Sequence, residues 1–426
     1  MFLGGLRGTG PLIDGKYRPG VPKAPEPTGD AAVPANVGGA PRQAPADRLE
    51  RTAPRKHADK DKALDSLSEE QRDKYRTIDR YITDLSKIDH PDAARNAGAL
   101  RAMLEQLLLD GKLDDKSSVG TTILDEMKKV LGGSARTLQG NIGDWRALAD
   151  ETGMTPKALV LQAVLEHLTD PRSIYQGDNT LTCGATTVQS MLAESKPAEY
   201  ARIVCQLLNE GSVITAGGDL MSAEIGGLAD GEDRRSHVED LLQESFMMLA
   251  QQLPVDSVAS AEDLARFGNV RSGGPGRGRV GAGDGAEGEG GLTGLQFIAL
   301  ANSMLNGQSK VAVINDPSTP KQDRSPDETL RLLKKALESG PVPIGVSVPG
   351  QDTGHALLLE SISGPNAVLR DPNSPDGKVK IVPVAQLVRD LMFASVPADQ
   401  AVRSLPTSSE FGDVGGGRYR SPSRPG

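Results

Sequence analysis

The sequence predicts an α+β protein, helices first and an antiparallel sheet after them, held between low-complexity ends. Three observations predict it. Apolar residues recur at helical spacing through the first half of the chain beyond residue 60. Short β-type runs separated by Gly, Pro and Asn turns fill residues 342–382. Gly and Pro, 49 and 29 of 426 residues, gather at the two ends and in one internal stretch.

The elements follow in order. Residues 1–60 are rich in Pro, Gly and Ala without periodicity, and are expected to form a disordered arm. Ser68-Glu-Glu-Gln71 has the pattern of a capping box, and Tyr75, Ile78, Ile82 and Leu85 follow it on one face. Leu100, Met103, Leu104, Leu107 and Leu108 form a second stripe, stopped by Gly111. Thr155-Pro156 offers an N-cap and a first-turn proline to a third helix carrying Leu161, Val164, Leu165 and Leu168. A helical region is therefore expected over 61–170.

A second unit is expected over 171–400. It opens with helices over 183–193 and 198–209, the latter with Tyr200, Ile203, Val204, Leu207 and Leu208 on one face. A helix over 236–252 carries Leu241, Leu242, Phe246 and Leu249, and a Gly-rich insertion over 271–291 follows. A helix with Phe297, Leu300 and Leu305 leads into a strand over 311–314 and a helix over 326–339. Strands over 342–348, 356–362, 367–370 and 379–382 complete the unit, and 401–426 is read as a disordered tail. The insertion contains Gly273-Gly-Pro-Gly-Arg-Gly278 with no Gly-Lys-Ser/Thr behind it, so it is not a phosphate loop.

Composition narrows the function. A net charge of -9 argues against a general nucleic-acid binder, and 3% aromatics leaves few platforms for stacked bases. The excess of Lys and Arg near both ends reads as solvated arms. No apolar run approaches the ~18 residues of a membrane span, and Met1-Phe-Leu-Gly-Gly-Leu6 is too short for a signal peptide. The expected compartment is the cytoplasm, with secretion by a leaderless route as the alternative. Two cysteines, Cys183 and Cys205, make no disulfide framework.

Three residues far apart in the chain point to chemistry. Cys183, in Thr182-Cys-Gly-Ala185, opens a helical pattern; unpaired N–H groups and the dipole of a helix start favour a thiolate, the reactive form of the thiol. Thr182 stands at the N-cap position. His355, in Gly354-His-Ala-Leu-Leu-Leu359, opens a strand pattern beside a turn containing Gly350 and Gly354. Asp371, sixteen residues later in Leu369-Arg-Asp-Pro372, closes the next strand. A hairpin of that length brings acid and imidazole together, so that Asp371 orients His355 and His355 serves Cys183 as general base and then acid. Asp316-Pro317, after the strand over 311–314, competes with Asp371 for the third place.

These motifs resemble the papain-like cysteine peptidases, most of all the bacterial branch that includes the peptidases cleaving bacteriocin leaders, and the transglutaminase-like relatives that use Cys, His and Asp in this order. The resemblance covers roughly residues 171–400 at three short islands. It implies a papain-like fold, a peptide or protein substrate and a thioester acyl-enzyme on Cys183. It also implies an amide side chain some six residues before the cysteine as oxyanion donor. Gln176 stands seven before and Asn179 four before, and either amide fits the role. The aromatic that follows the Cys-Gly pair in papain is absent. Acyl transfer or deamidation with the same triad, and a binding module that has lost catalysis, are the alternative functions. Cys205, His57 (in the arm), His90, His167 and His237 are read as structural or solvated. No metal site or cofactor is expected, since no His/Cys/Asp spacing suits one.

Overall fold

The computed structural model describes residues 57–133, 152–177, 180, 182–223, 235–255, 258, 291–314, 325–347, 354–374 and 377–398. All of them fall in one compact unit, residues 42–426. The chain up to residue 56, the Gly-rich stretch up to residue 290, Asn179, Asp316 and the tail over 401–426 lie outside the described residues. The protein is mixed α+β.

Among the described residues, five helices come first: α1 (His57–Ser66), α2 (Glu69–Leu85), α3 (Ala93–Leu109), α4 (Ile123–Gly132) and α5 (Pro156–Thr169). Helix α1 corrects the expectation that disorder runs to residue 60 and that His57 lies in a disordered arm. Beyond Pro54 no Pro or Gly interrupts the chain until Pro91, and Ala63, Leu64 and Leu67 pack against the core. An ion pair from Lys60 to Glu105 ties α1 to α3. At the start of α2, Ser68 accepts the Gln71 amide at 3.2 Å, but the reciprocal half of the capping box is not made. The Gln71 carbonyl oxygen accepts instead from the Thr122 hydroxyl, at the head of α4. Thr155 caps α5 through the Ala158 amide, with Pro156 in the first turn. Gly111, with φ of 72°, supplies the left-handed residue just beyond α3.

Next come α6 (Cys183–Ser195), α7 (Pro197–Glu210), the hairpin β1 (Ser212–Ile214) and β2 (Leu220–Ser222), α8 (His237–Gln252) and α9 (Gly294–Leu305). Residue 170 is not a boundary between cores. Ile78, Leu104 and Leu165 from the first helices share one hydrophobic cluster with Leu192, Phe246 and Ile298 from the later ones. Cys205 lies inside this cluster and His167 is buried at its margin, its Nδ1 2.6 Å from the Tyr200 hydroxyl.

The remaining elements are β3 (Ser309–Val313), α10 (Pro326–Leu337), β4 (Val342–Ser347), β5 (Gly354–Ser363), β6 (Asn366–Arg370), β7 (Val379–Pro383), α11 (Val384–Asp390) and β8 (Leu391–Pro397). The strands form one six-stranded sheet in the order β3-β8-β4-β5-β6-β7, antiparallel at every pairing. Val311 and Ala356 join the helical core from one face. The other face makes a second core, in which Ile344, Leu357 and Leu359 meet Leu333 of α10 and Leu387 of α11. The sheet is thus a middle layer with helices on both sides.

Gly345 marks the tightest spot in this layer. It pairs with Ala356 on one side and Phe393 on the other, and a Cβ there would sit 2.1 Å from the Phe393 ring. The ring lies across the bare backbone of Gly345 and meets Phe297 of α9 edge-on. Gly345→Ala is therefore predicted to destabilise the fold by about 1–3 kcal/mol through overpacking. Urea denaturation followed by circular dichroism checks the loss, and adding Phe393→Leu recovers part of it.

Among the described residues, no helix is long and apolar enough to cross a membrane.

Candidate active site

The site forms where the start of α6 meets the starts and ends of β5 and β6. Three structures hold these elements in place. Arg370, the last residue of β6 and itself buried, pairs with Glu360 of β5 at 2.6 Å and with Glu194 of α6 at 2.8 Å, clamping the far end of α6 to the sheet. The segment before α6 is tied to the segment after β6, because the Gln176 amide donates to the Pro372 carbonyl at 3.0 Å. Helix α8 grips the same segment: Glu239 accepts the Tyr175 amide and the Gln243 side chain donates to the Tyr175 carbonyl, both at 2.9 Å.

Thr182 occupies the N-cap position of α6, as its sequence context suggests, but it does not cap. Its hydroxyl is spent on the Gln176 carbonyl at 3.0 Å and the Gln243 carbonyl oxygen at 2.8 Å. The first amide of the helix to reach a carbonyl at its own start is Thr186, bonded to Thr182 at 2.8 Å. The amides of the first turn are therefore left without a capping side chain, and they point the positive end of the helix dipole at whatever lies before them.

The Cys183 sulfur lies there. It accepts the amides of Gly184 and Ala356 and shares a hydrogen bond with the His355 ring. Cys183 is only partly buried, and a Cβ added at its neighbour Gly184 would sit 3.2 Å from the Leu292 side chain, so a larger residue there would crowd the thiol's surroundings. Burial pushes the thiol up; the His355 bond and charge, with the two amides, more than offset this and hold it below the ordinary thiol range.

His355 is the second residue of β5, 21% exposed, with Nε2 2.7 Å from Asp371 Oδ1. With Nε2 taken by the acid, Nδ1 is the nitrogen left for the sulfur. Burial pushes the imidazole down, but Asp371 and the Cys183 sulfur raise it to about 9. Asp371 follows β6 directly. Arg370 pairs with Leu358, so one further step sets Asp371 within diagonal reach of the start of β5. Its carboxylate is 3% exposed and fully engaged: Oδ1 also accepts the Asn373 amide at 2.8 Å, and Oδ2 meets the Lys380 ammonium. Burial pushes this acid up, while His355, Lys380 and the Asn373 amide hold it well below the carboxylate range.

The fold thus brings Cys183, His355 and Asp371 into one contact chain. Gln176 is buried, and its hydrogen bonds go to neither the sulfur nor the ring. Its Nε2 donates to the Thr180 carbonyl at 3.3 Å, and its Oε1 has no hydrogen-bond partner. Asn179, the other amide expected at the oxyanion position, lies outside the described residues, as does Asp316. Cys205 is 1% exposed and, by desolvation with the Glu126 charge behind it, driven far above the ordinary thiol range. Gln243 and Lys380 are the contributors that sequence reasoning missed. Lys380 could have been found from the β6–β7 hairpin, whose register pairs it with Leu369, two residues before Asp371. No group of three or more His, Cys, Asp and Glu able to hold a metal ion occurs among the described residues.

No protein-family model, curated protein or solved structure matches this chain.

Proposed function

We propose that the protein is a thiol hydrolase of papain-like type that cleaves an amide bond in a peptide or protein. The observation that carries this reading is the paired state of Cys183 and His355, a half-buried sulfur at an uncapped helix start, hydrogen-bonded to a ring whose other nitrogen is held by Asp371.

In the reaction, the Cys183 thiolate attacks the substrate carbonyl and the negative charge moves to the carbonyl oxygen. The first-turn amides of α6 stabilise that oxyanion. The Gln176 side chain supplies a second donor by exchanging its long bond to Thr180 for the new anion. The tetrahedral adduct collapses, His355 gives its proton to the leaving amine, and a thioester remains on Cys183. Neutral His355 then takes a proton from water, hydroxide adds to the thioester, and the acid product leaves with the thiolate restored. Asp371 holds the ring in one orientation and one tautomer throughout.

Comparison of protein N-termini in cells expressing wild type with those expressing Cys183→Ala tests this directly. New N-termini are expected with the wild type alone. Masses that instead show an added amine or a deamidated glutamine would replace hydrolysis with acyl transfer or deamidation. No difference between the two proteins overturns the enzymatic reading.

A further inference from the structure

Resting on this thiol-hydrolase reading, we propose that Lys380 is a fourth, positioning member of the site, which draws part of the Asp371 charge away from His355 and so lets the ring release its proton nearer neutrality.

The geometry of the carboxylate carries the proposal. Asp371 is buried, and each oxygen has its own cation-side partner: His355 on Oδ1, Lys380 on Oδ2. The Asn373 amide, at 2.8 Å, adds a neutral donor to Oδ1. Lys380 comes from β7, the edge strand, and its side chain is 59% exposed although its ammonium ends on a buried acid. An exposed lysine that bends inward to a dry carboxylate gives up rotamer freedom, so the contact must be held by charge. Among the described residues, the other charged groups near the ring are few. Cys183 of α6 faces it directly, and Arg370, adjacent in the chain, is turned to Glu194 and Glu360. Val346, the β4 partner of His355, carries no charge.

Two cations on one carboxylate compete. With the ammonium in place, the imidazolium sees less than a full negative charge and gives up its proton more readily; with the ammonium removed, the imidazolium is stabilised and the ring stays protonated to higher pH. The consequence falls on the second half of the cycle. Acylation needs the thiolate–imidazolium pair, whereas thioester hydrolysis needs a neutral ring to accept the proton of water. Lys380 therefore favours release of the acyl group over its formation.

The test is the titration of His355 by NMR in the full chain with isotope-labelled histidine, five residues being few enough to assign by substitution. A Cys183→Ala background removes the sulfur from the balance. In that background Lys380→Met is expected to raise the titration midpoint of His355 by about half a pH unit at low salt, an effect kept small by the exposure of the lysine. Lys380→Arg is expected to restore the parent midpoint. In the protein with Cys183 intact, p-nitrophenyl acetate is the probe. The sulfur takes the acetyl group, p-nitrophenolate leaves, and water then releases acetate. Lys380→Met should lower the rate of acetate release relative to the initial burst, by about threefold for half a pH unit. An unchanged or lowered midpoint in Lys380→Met overturns the assignment of Lys380. Asp371→Asn separates this from the parent reading: if it too leaves the His355 midpoint unmoved, the Cys-His-Asp arrangement itself fails.

Discussion

Iodoacetamide at pH 6 is expected to modify Cys183 at least about a hundredfold faster than Cys205, and His355→Ala is expected to remove most of that difference. The two thiols differ in every property that governs alkylation. Cys183 is partly open, and its thiol is lowered by an imidazole and two backbone amides. Cys205 is 1% exposed in the helical core and driven upward by burial. The thiolate is the attacking species, so a depressed thiol gains in reactive fraction at low pH more than it loses in intrinsic nucleophilicity. The sign of the pH dependence follows from the two directions. The Cys183 thiolate forms below the ordinary thiol range, and the His355 ring keeps its proton up to about 9. The charged pair therefore persists over a wider pH range than a free thiol and imidazole allow. Alkylation should rise on an acid limb that lies below that of an ordinary thiol. In His355→Ala the acid limb moves up toward the ordinary thiol, because the ring's bond and charge are the first influences that oppose burial of the sulfur. Mass spectrometry of tryptic peptides over a pH series measures both thiols in one sample. Equal, slow labelling of the two would leave the fold without a nucleophile.

Much of this arrangement was legible in the residues, for identifiable reasons. Cys183 and His355 stand at element starts, and Asp371 closes a short strand bounded by Pro372. Hairpins are local, so the sixteen-residue spacing from His355 to Asp371 already constrained the pairing of β5 with β6. The strands over 342–382 were visible because turn residues separate them. What failed to show lacked such punctuation. Strand β8 is an inner strand, between β3 and β4, yet Leu391-Met-Phe-Ala-Ser-Val396 follows helix α11 with no Gly or Pro at the junction and reads as one apolar run. A buried strand of this kind cannot be told from a helix by periodicity. The shared core across residue 170 was equally hidden, because amphipathic stripes announce a buried face without naming its partner. The role of Thr182 needed coordinates too. Its identity suggested a cap, and only the neighbouring Gln243 of α8 shows why its hydroxyl is turned away and the helix start left open.

Arg202→Ala is predicted to cost about 3–5 kcal/mol of stability, the largest loss expected from a single replacement away from the site. Arg202 is among the largest fully buried side chains of the protein. Its guanidinium forks onto Glu199, with Nη2 at 2.5 Å and Nε at 3.0 Å from the two oxygens. It also reaches the Ile214 carbonyl of β1 at 2.6 Å and Gln206 at 2.9 Å. Glu199 receives the Ser118 amide at 2.9 Å besides, so one pair joins α7 to the turn before α4 and to the β1–β2 hairpin. Burial pushes Glu199 up, and Arg202 with the Ser118 donors brings it below the ordinary carboxylate range. Without the guanidinium the carboxylate keeps the cost of burial and loses most of its compensation. The pH signature distinguishes this from a simple cavity. In Arg202→Ala the native Glu199 binds its proton more tightly than the unfolded chain does, so the deficit should be fullest well above its raised native value and shrink as pH falls through that value toward the unfolded one of about 4.3. Replacing both partners, as in Arg202→Met with Glu199→Leu, should cost less than the single change, since no lone charge is left in the core. Urea unfolding of the single and double variants at pH 4 and pH 7 reads all three outcomes. The folded fraction of Arg202→Ala should still alkylate at Cys183 in preference to Cys205, because none of the Arg202 hydrogen bonds reaches the segments that hold the sulfur, the ring and the acid.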